Sequence, residues 1–203
     1  SFSGLTLDLR GVTELSPVQA DGLARFAGKR LRLDGLTILT PGVASALAKG
    51  DAQELTLNGL VELTATDANA LIRFRGEAIS LNGLTELSDS AALALSAFGG
   101  RELSLQGMRH LSESQTAQFL NARAHMIWIS AFAPFGAAVV GKLAQASRRN
   151  IGIVFTGVDT VDLSQLSQIT KAWRGGMSFP DAPELSDDNL RVLTRWRGRY
   201  LRL

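Results

Sequence analysis

The chain has 203 residues, 45% of them hydrophobic and 20% charged, with a formal net charge of +2. These totals are those of an ordinary soluble globular protein, and so small a net charge gives no argument for nucleic acid or a membrane surface. Cysteine is absent, which excludes disulfides and thiolate metal sites and fits a bacterial cytoplasm or a secreted protein equally.

A unit of 24 residues recurs along the sequence. Residues 31–54, 55–78 and 79–102 align slot for slot. A fixed period of this size marks a solenoid, whose units bury their apolar faces only against neighbouring units. One continuous domain over residues 1–203 is therefore expected, either whole or as a piece of a longer protein. No signal peptide is read at the start of the sequence, where one is expected to be absent or already removed. Its longest apolar stretch, residues 126–140, is too short to span a membrane and contains Pro134.

Each unit opens with an L-x-L alternation, which predicts a short strand with one buried face. Strand starts fall at Leu7, Leu31, Leu55, Ile79, Leu103, Ile127 and Ile151. An insertion of two residues near Phe155 is expected to delay the next start to Met177, and a ninth begins at Leu201. A turn follows each strand at Asp34-Gly35, Asn58-Gly59 and Asn82-Gly83, where Gly would accept positive φ. Helix starts come next. Ser16-Pro17 and Thr40-Pro41 read as an N-cap followed by proline. Thr64/Asp67, Ser112/Gln115 and Asp162/Gln165 read as capping boxes. Apolar residues then recur on one helical face: Ala20, Leu23, Phe26; Ala68, Leu71, Phe74; Ala92, Leu95, Phe98. Gly28, Gly76, Gly100 and Gly198 are predicted helix stops in the left-handed region.

Two charged ladders follow the same frame. Glu14, Glu62, Glu86 and Glu184 precede the helices. Arg25, Lys49, Arg73, Lys171 and Arg195 are expected in their last turns. Both signs complement the helix dipole, so a structural role accounts for them. Stacked units put parallel strands on one side and helices on the other. Nine strands about 4.8 Å apart span roughly 40 Å. Helices are bulkier than strands, so the stack is expected to curve with its sheet on the inside.

In these features the chain resembles bacterial leucine-rich-repeat proteins over essentially its whole length. The nearest pattern is that of 24-residue repeats whose helix carries an Ala-x-x-Leu core. The family motif L-x-x-L-x-L-x-x-N-x-L is met at its L-x-L. Its asparagine slot holds Val12, Leu36, Leu60, Leu84, Met108 and Phe132, so an apolar spine is expected in place of a buried asparagine ladder. The following leucine is displaced to Leu15, Leu39, Leu63, Leu87 and Leu111. The resemblance implies a right-handed α/β solenoid, a horseshoe of about eight repeats with a parallel sheet on the concave face and helices on the convex face. It also implies that partners bind the concave strands.

Residues flanking the buried L-x-L positions face outward on that sheet. One column is Thr6, Arg30, Glu54, Ala78, Glu102, Met126, Asn150, Gly176 and Tyr200. The next is Asp8, Arg32, Thr56, Ser80, Ser104, Trp128, Gly152, Ser178 and Arg202. The candidate partner-binding set is Arg30, Arg32, Glu54, Thr56, Ser80, Glu102, Ser104, Met126, Trp128, Asn150, Tyr200 and Arg202. Trp128 stands out, because an exposed strand tryptophan offers large area, one donor and little entropy to lose. The alternative is that it packs beneath residues 154–157. The unit at residues 130–135 has lost its turn signature, and such irregular repeats are expected to be interface or binding places. Arg191, Arg195, Arg197, Arg199 and Arg202 lie among Trp196 and Tyr200, but Trp196 occupies a core slot and Arg195 belongs to the helix-end ladder. No nucleic-acid surface is expected from them.

No catalytic constellation is present. His110 and His125 occupy different slots of one repeat, with no metal-ligand spacing around either, and both are read as surface residues. Phosphate-cradling loops, nucleophile elbows and dinucleotide fingerprints are missing. No cofactor or metal is expected. The sequence thus points to a non-catalytic module that binds another protein. The alternatives are a substrate-recruiting repeat domain of a larger enzyme or secreted effector, and, more weakly, a glycan-binding surface. The final strand, residues 201–203, has no polar capping repeat after it, which suggests either a longer array or self-association at that edge.

Overall fold

The computed structural model describes residues 6–109, 111–130, 151–154, 166–167, 170–171, 176–178, 186–198 and 200–202. Strand and helix alternate: β1 (Thr6–Asp8), α1 (Pro17–Ala24), β2 (Arg30–Arg32), α2 (Pro41–Leu47), β3 (Glu54–Thr56), α3 (Ala65–Leu71), β4 (Ala78–Ser80), α4 (Asp89–Ser96), β5 (Glu102–Leu105) and α5 (Glu113–Leu120). Then come β6 (Met126–Ser130), β7 (Ile151–Val154), β8 (Gly176–Ser178), α6 (Asp187–Thr194) and β9 (Tyr200–Arg202). The nine strands form one sheet in chain order, and every pair is parallel. Consecutive helices α1 to α5 pack on one another alongside it.

The helices start where the sequence puts them. Ser16, Thr40, Thr64, Ser88, Ser112 and Ser186 each accept from the backbone N–H three residues on, a cap that contributes about 1 kcal/mol. Gln19 and Gln115 complete reciprocal boxes. At Thr64 the box is not completed: its hydroxyl donates to Asp67 Oδ2 at 2.5 Å, turning the shorter carboxylate toward the cap side chain. Asp162/Gln165 lies outside the described residues. The acidic ladder precedes the helices as expected, while the basic ladder is displaced past their last turns. Arg25 and Arg195 are C-cap residues. Lys49 and Arg73 follow the caps Ala48 and Ile72. Glu14, Glu62 and Glu86 stand two residues before the N-caps, where the dipole interaction has weakened. Glu184 lies outside the described residues.

The inward positions make one core. Leu31, Leu33, Leu55, Leu57, Ile79, Leu81, Leu103, Leu105, Ile127, Ile129 and Met177 are buried, as are Ala20, Ala68, Leu71, Ala92, Leu95 and Phe98 from the helices. Leu7 and Leu9 are half-buried on the outermost described strand. The expected apolar spine is present at Leu36, Leu60, Leu84 and Met108, all buried. Phe132 lies outside the described residues. Each fully buried leucine contributes about 1.5–3 kcal/mol relative to exposure.

A polar ladder nevertheless runs beside that spine, built by the turn residues. Asn58 N–H donates to Asp34 Oδ1 at 3.0 Å, Asn82 N–H to Asn58 Oδ1 at 2.9 Å, and Gln106 N–H to Asn82 Oδ1 at 2.9 Å. The family's asparagine slot is thus apolar, as expected, and a half-buried polar ladder stands two residues nearer the strand. The turn glycines are explained by the same stacking. None has positive φ; instead a Cβ on Gly59 or Gly83 would fall on the carbonyl oxygen of Asp34 or Asn58 in the preceding unit. Gly76, Gly100 and Gly198 likewise lack positive φ. There a Cβ would strike the ring of Phe74, Phe98 or Trp196, two residues earlier.

Strand register corrects one further expectation. Met177 pairs with Ile153, not with Ile151, so the offset of 24 persists through β7 and β8: Gly152 pairs with Gly176, and Gly176 with Tyr200. A slip of two residues leaves each side chain on its own face. It does change the rows, as described next.

Candidate functional site

The outward residues of β1 to β6 form two rows in register. The first is Thr6, Arg30, Glu54, Ala78, Glu102 and Met126; the second is Asp8, Arg32, Thr56, Ser80, Ser104 and Trp128. The second row continues through Gly152 and Gly176 to Tyr200, while Ser178 and Arg202 fall one step further along, opposite Val154. Gly176 and Tyr200 therefore share Trp128's row, not that of Met126. Asn150 lies outside the described residues, and Tyr200 and Arg202 are placed by their backbone.

A trough of about 480 Å³ opens over the middle of these rows. Thr56, Ala78, Ser80 and Ser104 form part of its lining; Arg30, Arg32, Glu54 and Glu102 line it from the same face. Glu77, Asn82, Arg101 and Gln106, not among the sequence candidates, line it too. They occupy the strand ends and turns, which the L-x-L alternation does not reach.

The two candidate arginines are already engaged. Arg30 Nε donates to Glu54 Oε2 at 2.6 Å, with Lys29 Nζ 3.9 Å from Glu54 Oε1. Arg32 lies 3.6 Å from Asp8 and 3.8 Å from Asp34. The hydrogen bond from the Arg10 guanidinium, aided by Arg32, holds the Asp8 carboxyl below its usual value. Half-exposed pairs of this kind contribute little stability, about 0–1 kcal/mol.

Glu102 differs. Among the described residues it has no ion pair within 4 Å. Burial raises its carboxyl above the ordinary value of 4.5, and the charge of Glu54 raises it further. The Trp128 indole opposes the shift by donating a hydrogen bond to it, and Arg101 opposes it through its charge. Trp128 itself is half-buried. Its register neighbour on the far side is Gly152, which has no side chain to cover it. Phe155 and its neighbours, the alternative cover, lie outside the described residues. The Glu102–Trp128 contact joins positions 26 residues apart, one unit plus one step of strand alternation, so it was legible once the register was known.

Elsewhere, a hollow of about 500 Å³ is lined by Ser167, Thr170, Lys171, Val192, Arg195 and Arg197, at the end of α6. His125 is exposed, and His110 lies outside the described residues. Among the described residues no three His, Cys, Asp or Glu side chains gather as a metal site, and no helix is long and apolar enough to cross a membrane. Set against known proteins, the sequence matches no family model and shows no significant similarity to any curated protein.

Proposed function

We propose that this chain is a non-catalytic recognition module, a right-handed leucine-rich-repeat-like arc of about eight repeats in one domain, which binds another protein on the concave side of its sheet. The trough over β2 to β5 carries this reading. It lies on a face whose outward residues are neither caps nor core, and its lining side chains take part in ion pairs and in the polar ladder. A preorganised surface loses less side-chain entropy on binding.

The test compares faces. Ser80→Arg and Trp128→Ala alter the sheet side; Val18→Asp and Leu93→Asp alter exposed helix positions, 82% and 59% accessible. Proteins retained by the parent chain should be lost by the sheet-face variants and kept by the helix-face variants, with melting temperatures little changed. The opposite pattern would refute the concave-face reading.

A second reading is glycan binding, favoured by the row in which Trp128 and Tyr200 are separated only by Gly152 and Gly176. A half-buried tryptophan on an outward row suits a stacked sugar ring. A glycan array giving no signal that depends on Trp128 removes it.

A further inference from the structure

The trough floor presents acceptors. A hydroxyl has a single proton. Ser80 Oγ gives its proton to Asn58 Oδ1 at 2.7 Å and Ser104 Oγ gives its own to Asn82 Oδ1 at 2.8 Å. Their lone pairs are what remains, and Ser104 already accepts from Gln106 Nε2 at 3.0 Å. Ionised carboxylates are acceptors only, and Glu54 and Glu102 line the same hollow. Thr56 Oγ1 is buried and has no hydrogen-bond partner, so it keeps a proton as well as lone pairs and is not part of this acceptor set.

The open position is above Ala78. Register places Glu54, Ala78 and Glu102 side by side on β3, β4 and β5, so the carboxylate strands stand roughly 10 Å apart with only a methyl group between. Glu54 is neutralised by Arg30. Among the described residues, the hydrogen-bond donor to Glu102 is the neutral indole of Trp128. Arg30, Arg32 and Arg101 line the edges of the trough in ion pairs with Glu54, Asp8, Asp34 and Glu77, so it is on the Glu102 side that a cationic donor tolerant of an aromatic neighbour is the matching occupant.

We propose that the slot over Ala78 seats an arginine side chain of the partner protein, its guanidinium donating to Glu102 and to the trough hydroxyls, with Trp128 beside it. Guanidinium is planar, carries five donors and no acceptor, forks onto carboxylates and stacks on indole. The proposal rests on the reading of the sheet face as the binding surface, and it names the chemistry that face selects.

The experiment is an NMR titration of the ¹⁵N-labelled chain with N-acetyl-arginine amide, N-acetyl-lysine amide and N-acetyl-citrulline amide. Arginine should give saturable shifts at Ala78, Ser80, Glu102 and the Trp128 indole. Lysine should bind at least severalfold more weakly. Citrulline, isosteric but uncharged, should give none. Glu102→Gln should weaken arginine at least tenfold, and Ala78→Leu, which fills the slot and keeps every charge, should abolish it. The proposal is overturned if arginine produces no saturable shift at these positions, if citrulline or lysine matches it, or if Glu102→Gln binds as well as the parent. Should arginine fail while sheet-face variants still lose their protein partner, the slot is wrong and the binding face stands. Should arginine bind while those variants keep the partner, the slot takes free arginine only, and the proposal falls with the face reading.

Discussion

Glu102 joins sequence position to chemistry most directly. Burial and Glu54 raise its carboxyl, so the folded chain holds that proton more tightly than the unfolded chain does. The sign follows from linkage: the contribution to stability is full below the unfolded value and falls as pH rises through the folded one. Glu54 and Arg101 are the charges acting on it, with Glu77 lining the same hollow. Glu102→Gln should therefore gain melting temperature relative to the parent as pH rises from 4 toward 7. The Trp128 indole reports the same event optically. The emission difference between the parent and Trp128→Phe should titrate with a midpoint above 4.5, the ordinary glutamate value, and should lose that step in Glu102→Gln. A midpoint at or below the ordinary value would show that the carboxyl is not held up.

Glycine at the turns invites a second single-residue measurement. Gly59→Ala drives a methyl group onto the carbonyl of the preceding unit, whereas a Cβ on Gly11 meets nothing within 4 Å. Gly59→Ala should lower stability by about 2–4 kcal/mol and Gly11→Ala should change it little, measured by urea denaturation. Equal effects would mean that backbone freedom, not stacking, selects glycine at this slot.

At the level of strands, turns and helices, the polar ladder is the feature most open to test. Asn58 Oδ1 accepts both Asn82 N–H and Ser80 Oγ. Asn58→Ala leaves both donors without a partner and should cost about 2 kcal/mol, since an unsatisfied donor costs about 1–3 kcal/mol. Asn58→Asp keeps the acceptor and should be tolerated, because Asp34 fills the same slot one unit earlier and accepts from Asn58 N–H. Thermal melts of the two variants decide it. Strand starts, N-caps and the apolar spine were legible in the sequence because each needs only local pattern: L-x-L, Ser or Thr before a helix, leucine at a fixed slot. The ladder was not, because Asn-Gly is also the ordinary chemistry of a turn, and only stacking puts the Asn58 carbonyl against the next turn. The register at β7 and β8 was hidden for a related reason. Gly175 and Gly176 stand before Met177, and without an apolar residue at the first inward slot Met177 reads as that slot when it occupies the second. Of the site, the outward rows were readable, and the link from Trp128 to Glu102 follows once the register is known, but the ion pairs of Arg30 with Glu54 and of Arg32 with Asp8 required side-chain geometry.

Among the described residues, each unit touches its neighbours in sequence order, since the strands pair in series and helices α1 to α5 pack in series. Stability in such an array is close to a sum of unit and interface terms, and damage should therefore stay local. Leu60 is fully buried in the spine between Leu36 and Leu84, and Leu60→Ala should cost about 2–5 kcal/mol at that place. Hydrogen exchange read by mass spectrometry distinguishes a chain of coupled units from a single cooperative block. In the coupled array, amides of β3, β4 and their turns should exchange faster in Leu60→Ala while those of β5 and β6 keep their protection under native conditions. A single block would accelerate everywhere together. The outcome bears on binding as well, because Glu54, Ala78 and Glu102 sit on three successive strands. If the units open one at a time, loosening β3 disturbs one wall of the arginine slot while Glu102 and Trp128 hold their contact. Arginine affinity should then fall in Leu60→Ala without loss of the Trp128 signal. Loss of both together would show that the trough is held by the array as a whole.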